Sequence, residues 1–265
     1  MELREWAERI LSADTLEEKL FSPDKLTDLD PGPPQFWNEP VRPTGMGFQK
    51  HTRKDKLPKQ HELASADKRA SCLHRFAGHE LLAVEVMAYA LLAFPHAPKH
   101  FRRGVAGTLK EEQEHVRLYC KQLERFGMSL GDAPLYRHFW SYTPFLKTPE
   151  QYLSVMSLSF EMANLDYAPS YGKAFEEAGD QDASVLMQRI LKDEIAHVAF
   201  GWNWLKKFKR DDLSVWEAWR ESLPERFPPE RAMGKPFQEE NRLRAGVSNE
   251  WLIDFKAAVG LKQGA

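Results

Sequence analysis

Two Glu-x-x-His pairs stand out in this 265-residue chain: Glu112 with His115 in "KEEQEHVRLY", and Glu194 with His197 in "LKDEIAHVAF". On a helix, positions i and i+3 share a face, so each pair can aim an oxygen and a nitrogen at one point. One such pair would be near the chance rate in a chain with nine histidines. Two further carboxylates sit in apolar settings, Glu80 in "FAGHELLAVEVM" and Glu161 in "SLSFEMANLDYA". Four buried carboxylates with no counter-ion would be prohibitively costly. Two divalent metals would balance them, and two neutral imidazoles would complete the shell. Oxygen-rich ligation with some nitrogen and no sulfur favours iron or manganese over structural zinc or copper(I). The competing reading is inter-helix ion pairing. The apolar neighbours Leu81, Leu82, Val84, Val116, Phe160, Met162 and Val198 argue against it.

These residues need elements to hold them. Helical periodicity predicts four long segments, over about 64–94, 99–126, 149–178 and 180–209. Pro95 and Pro98 separate the first two, and Gly127 and Gly179 end the second and third. The stretch "GMSLGDAPLYRHFWSYTPFLKTP" between the hairpins is long enough to cross a bundle. Two hairpins joined by a long crossover predict an all-α, ferritin-like four-helix bundle. Each Glu-x-x-His pair lies on the second helix of a hairpin, with the lone Glu on the first. Glu80 to Glu112 spans 32 positions and Glu161 to Glu194 spans 33. Counted from the turns, Glu80 and Glu112 fall at nearly the same height. Glu161 and Glu194 are mismatched by about one turn, at roughly 1.5 Å per residue.

The hairpins also repeat each other. Glu85 follows Glu80 by five positions, and Asp166 follows Glu161 by five. Five residues is about 140° around a helix, so both should point away from the metal-facing line. They are expected to make inter-helix or ligand-orienting hydrogen bonds, with Glu85 as an alternative ligand to Glu80. The expected metal set, which is also the catalytic set, is therefore Glu80, Glu112, His115, Glu161, Glu194 and His197. Glu80 and His115 would serve one metal, Glu161 and His197 the other, with Glu112 and Glu194 bridging.

Outside the bundle, residues 1–62 read as N-terminal helices and a Pro-rich arm. Asp14 or Thr15 is the expected cap of a second short helix, and the basic stretch Lys50 to Lys59 is a solvated segment or an anion contact. Residues 63–210 form the bundle. Residues 211–265 form a helical extension with "LSVWEAWRESL" and a last helix near 248–258. Around the site, His79 and Asp193 read as partners that orient ligands, with a plain ion pair as the alternative for Asp193. Tyr119 reads as core packing or a redox group, and Trp202 and Trp204 as packing. Pro169 reads as a source of a kink that could open a pocket, and Cys120 as a buried thiol.

The net charge of −2 supplies no global field toward nucleic acid or an anionic membrane. Two cysteines with no CxxC support neither a zinc ribbon nor a disulfide framework, and fit a reducing cytoplasm. No run approaches about 18 consecutive apolar residues, and the N-terminus lacks a signal-peptide core.

The stretches "HELLAVE", "FEMANLDYAP" and "ILKDEIAHVAFGWNWL", with the tail "GKPFQEENRLRAGVSNEW", resemble a bacterial family of ferritin-like proteins over roughly residues 40–255. More distantly, the arrangement looks like the ferritin-like tRNA hydroxylase and other di-iron monooxygenases. The resemblance implies a carboxylate-bridged dimetal site on the same six residues. It also leads one to expect a histidine two positions before Glu80, where this chain has Gly78. The expected function is a non-haem di-iron oxidoreductase, with manganese or a mixed manganese–iron pair as alternatives. It would use O2 and an external electron donor to oxidise a small-molecule substrate. No membrane partner is expected, and tRNA is only a minor alternative. Competing functions are a ferroxidase, a dimanganese catalase, and a bundle whose metals only stabilise an interaction protein.

Overall fold

The computed structural model describes residues 1–50 and 56–262, and it is all-α apart from one short strand pair. The chain divides into two units.

The first unit holds residues 1–144 with 177–182. Its helix α1, Leu3–Ser12, buries Leu3, Trp6, Ala7, Ile10 and Leu11, the three-and-four spacing of an amphipathic helix. Thr15 caps α2, Leu16–Leu20, by accepting from the Glu18 amide. Two long helices follow, α3 over Ala66–Ala93 and α4 over Lys99–Glu124. They pack along each other, and α1 lies on α3. By length and composition α3 could cross a membrane, but 89% of its apolar window is buried inside the protein. Its hydrophobicity therefore serves the protein's own core.

The arm between α2 and α3 does more than lie on the surface. Asp28 is buried and takes the Arg102 guanidinium at 3.0–3.1 Å. Arg102 also donates to the carbonyls of Leu91 and Phe94, satisfying the open end of α3. Near the arm's end, β1, Phe48–Gln49, pairs in parallel with β2, Leu135–Tyr136, of the crossover. Of the basic stretch Lys50 to Lys59, positions 51–55 lie outside the described residues. The crossover continues as a 3-10 turn, His138–Phe145.

Buried His74 on α3 accepts the Gly131 amide at Nε2, 3.1 Å away, which requires a neutral ring. Burial, then the Arg75 charge, pushes its pKa from 6.5 down to about 4. The unfolded state therefore binds the extra proton between those values, and stability present above pH 6.5 is lost as pH falls toward 4. Thermal melts over that range should show a declining Tm. The slope should be shallower in His74→Gln, whose amide oxygen can still accept.

The second unit holds residues 145–176 with 183–265. The third long segment is not one uniform α-helix. It runs as α5, Pro149–Val155, then a π-helical stretch, Met156–Glu161, then α6, Met162–Glu177. The irregularity expected at Pro169 lies upstream instead, and α6 continues through the proline. A groove of about 350 Å³ does run past Pro169, lined by Ala168, Gly172, Lys173, Ser184 and Leu191 among others. The fourth segment is α7, Gln181–Phe208. Gly127 and Gly179, just past α4 and α6, take positive φ of 63° and 76°, the left-handed ending a side chain disfavours.

The tail forms α8, Val215–Glu221, then α9, Glu239–Arg244, a short helix the sequence pattern does not suggest, and α10, Asn249–Ala258. Trp202, Trp216, Trp219, Trp251 and Phe255 form an aromatic core there, with ring separations of 5.0–6.5 Å.

Candidate metal centre

All six expected ligands are buried, none more than 6% exposed. In the first unit, α3 supplies Glu80 and α4 supplies Glu112 and His115. These three offer ligand atoms that all lie within 4.8 Å of one another. His115 Nδ1 is 3.4 Å from Glu112 Oε2 and 3.9 Å from Glu80 Oε2. Burial, then the charge of Glu112, pushes the Glu80 carboxyl well above its ordinary value, while His115 opposes the shift. Two carboxylates crowded out of water demand a cation or a proton.

The second unit carries the same residue types, and its Glu-x-x-His pair has the same spacing. The π stretch ends on Glu161, and α7 carries Glu194 and His197. His197 Nδ1 is 3.5 Å from Glu194 Oε2, nearly the spacing of the first pair. Glu161 and His197 offer ligand atoms within 4.8 Å of each other. One contact lets α7 run close to the π stretch. A Cβ on Gly201 would stand 2.3 Å from Cβ of Ser157, closer than two side chains can come. Gly201 lies one helical turn beyond His197, so its missing side chain helps bring that imidazole toward Glu161.

Asn164 was not anticipated. It donates to Glu194 Oε1 at 2.7 Å and so fixes one oxygen of that carboxylate. The signal was present, because Asn164 follows Glu161 by three positions on the same helix face.

Glu85 and Asp166 are committed elsewhere. Glu85, fully buried, takes Lys19 Nζ at 3.0 Å and the Arg42 guanidinium, whose Nε lies at 3.2 Å. Those two cations occupy the carboxylate, which removes it as an alternative to Glu80. Asp166, also fully buried, takes Arg242 at 2.7 and 2.8 Å and the amides of Gly234 and Gln238 at 2.8 and 2.6 Å. Each carboxylate thus anchors an extension of the chain, the arm in one unit and the tail in the other.

The remaining expectations resolve individually. Asp193 pairs with Arg189 at 2.6 Å, the ion-pair alternative. His79 stacks on His138, ring centroids 5.5 Å apart. Tyr119 is buried against Phe76. Trp202 packs on Trp251, and Trp204 against Phe200 and Phe208. Cys120 is half-buried rather than buried, and burial, then the Glu124 charge, pushes its thiol up to about 11. At Gly78, a Cβ would meet the end of the Leu135 side chain at 2.7 Å, so that side chain would have to move to admit a histidine.

The donor set suits a hard or borderline divalent ion: carboxylate oxygens with one imidazole nitrogen in each unit, and no thiolate. No curated protein and no solved structure matches the chain. A family model described as "Protein of unknown function (DUF455)" matches residues 4–253, and the chain belongs to that family.

Proposed function

We propose that the chain is a ferritin-like, dimetal-carboxylate oxidoreductase that uses O2 to hydroxylate, desaturate or otherwise oxidise a small organic substrate. The observation that carries this reading is the repeated ligand set. Each unit buries a lone Glu beside a Glu-x-x-His pair whose imidazole Nδ1 lies 3.4–3.5 Å from the paired carboxylate. Glu80, Glu112 and His115 hold one ion, and Glu161, Glu194 and His197 hold the other. The reason to join them into one centre is the sequence pattern: a lone Glu on the first helix and a Glu-x-x-His on the second helix of each of two hairpins is the ligand set of a dimetal four-helix bundle.

Iron in such a site supplies one-electron and O2 chemistry when bound. The chain's own residues do the positioning. Asn164 holds one oxygen of Glu194 and leaves the other toward His197. The apolar flanks of α3 and α6 keep bulk water from the carboxylates, which strengthens their hold on a cation. An external donor supplies the electrons that oxygenation consumes.

Anaerobic titration with ferrous iron is expected to saturate at about two metals per chain, and admission of O2 should then change the visible spectrum. Saturation below one metal per chain would sink the reading. Two bound metals with no reaction toward O2 would leave a structural centre, and peroxide disproportionation by the manganese form would move the assignment to a catalase.

A further inference from the structure

We propose that Asn164 is a positioning residue: it holds Glu194 as a one-oxygen ligand and so keeps a coordination position of that ion open to a small anion from solution. This rests on the dimetal reading. It departs from the bridging role that the sequence pattern suggests for Glu194, because a bridge needs one oxygen on each ion.

The two oxygens of Glu194 are already told apart. Asn164 Nδ2 donates to Oε1 at 2.7 Å, while Oε2 lies 3.5 Å from His197 Nδ1. Two donors on one ion, each about 2.1 Å from it, stand roughly 3.0–3.4 Å apart between right-angle and tetrahedral geometry. The Oε2–Nδ1 spacing is close to that, so the ion these two residues share belongs on the Oε2 side. Oε1 is then the oxygen turned away, with the Asn164 amide as its donor in place of the metal. Hydrogen bonds of this kind orient ligating carboxylates. A carboxylate held by one oxygen fills one position of the ion's shell, where a chelating one fills two. The position it leaves is available to a small anion.

The helix that presents Asn164 is held on its other side. Asn164 is the third residue of α6, one turn past Glu161. Its next neighbours face the tail. The Leu165 carbonyl accepts from Asn241, and Asp166 holds Arg242, which also donates to the Met162 carbonyl. Further along, α6 meets α7 at Gly172, where an added Cβ would stand 3.2 Å from Cβ of Met187. These contacts resist rolling of α6 about its axis and keep the Asn164 amide against Glu194. A donor held by packing on both sides of its helix can fix a ligand's geometry, which a freely moving one cannot. Asn164 itself is half-buried, so replacing its side chain leaves no cavity in the core.

The full-length protein would be loaded anaerobically with cobalt(II), whose visible absorption weakens as its coordination number rises, and then titrated with azide. The unsubstituted protein is expected to bind about two cobalt ions per chain and to show a saturable spectral change with azide. Asn164→Leu keeps the side-chain volume and removes the donor. It is expected to retain both ions, to absorb more weakly as Glu194 turns its second oxygen to the metal, and to lose part of the azide response. An unchanged spectrum and azide response in Asn164→Leu would overturn the proposal and leave the dimetal reading intact. So would an unsubstituted protein that binds two ions and ignores azide. So would loss of an ion from Asn164→Leu with an unchanged spectrum per remaining ion, the mark of a residue that only packs. Less than one cobalt per chain in the unsubstituted protein would overturn the dimetal reading and this proposal together. Should Asn164→Leu fail to fold, an unchanged spectrum and azide response in Asn164→Val would overturn the proposal equally.

Discussion

Asp166→Ala is expected to destabilise the protein by about 3–5 kcal/mol, read as a fall in the urea midpoint with an unchanged slope. Asp166 has no exposed surface and accepts from Arg242 and from two backbone amides. Removing it leaves Arg242, itself fully buried, as an uncompensated cation, together with two amides that have lost their acceptor. Desolvation decides the size of the effect, since an exposed pair would contribute only about 0–1 kcal/mol. The double replacement Asp166→Leu with Arg242→Met should recover part of the loss, because a buried pair exchanged for apolar groups is often near neutral. A loss below 1 kcal/mol in Asp166→Ala would mean that the tail is not anchored there. Glu85→Ala should behave in the same way in the other unit, where it would strand Lys19 and Arg42.

His197→Ala and Glu194→Ala are each expected to lose metal and, with it, the stabilisation that metal confers. For a ligand at a hundredfold excess over its Kd, that stabilisation is about 2.7 kcal/mol, so a metal-dependent rise in Tm should disappear. Retention of both metals in either variant would remove these residues from the ligand set. Glu80→Gln gives a sharper signature because its two effects have opposite signs. Burial and the Glu112 charge raise the Glu80 pKa above 4.5 in the folded chain. The stability this carboxyl contributes is present below pH 4.5 and lost as pH rises. An uncharged amide should therefore raise the Tm of the metal-free chain at neutral pH while lowering metal affinity. A purely structural ion-pair role for Glu80 would lower the Tm instead.

The six candidate ligands and the long helices were legible in the sequence because both are local facts. A Glu and a His three apart share a helix face whatever else the chain does, and Pro95, Gly127 and Gly179 stop helices through their own backbone chemistry. The repeat of Glu80 with Glu85 and Glu161 with Asp166 is likewise visible as spacing. What the second member of each pair does is not. Lys19 and Arg42 come from 66 and 43 positions before Glu85, and Arg242 from 76 after Asp166. No periodicity encodes such a meeting. The π stretch before Glu161 was equally hidden, since one extra residue in a turn is set by what α5, α6 and α7 pack against. So was the pairing of β1 with β2, two residues from each of two irregular segments. Sequence by itself determined which side chains could bind metal and which helices carry them, because i, i+3 spacing and helix stops are short-range. Tertiary structure alone decided which charges are compensated and by which groups, because that depends on desolvation and on partners brought together only by folding.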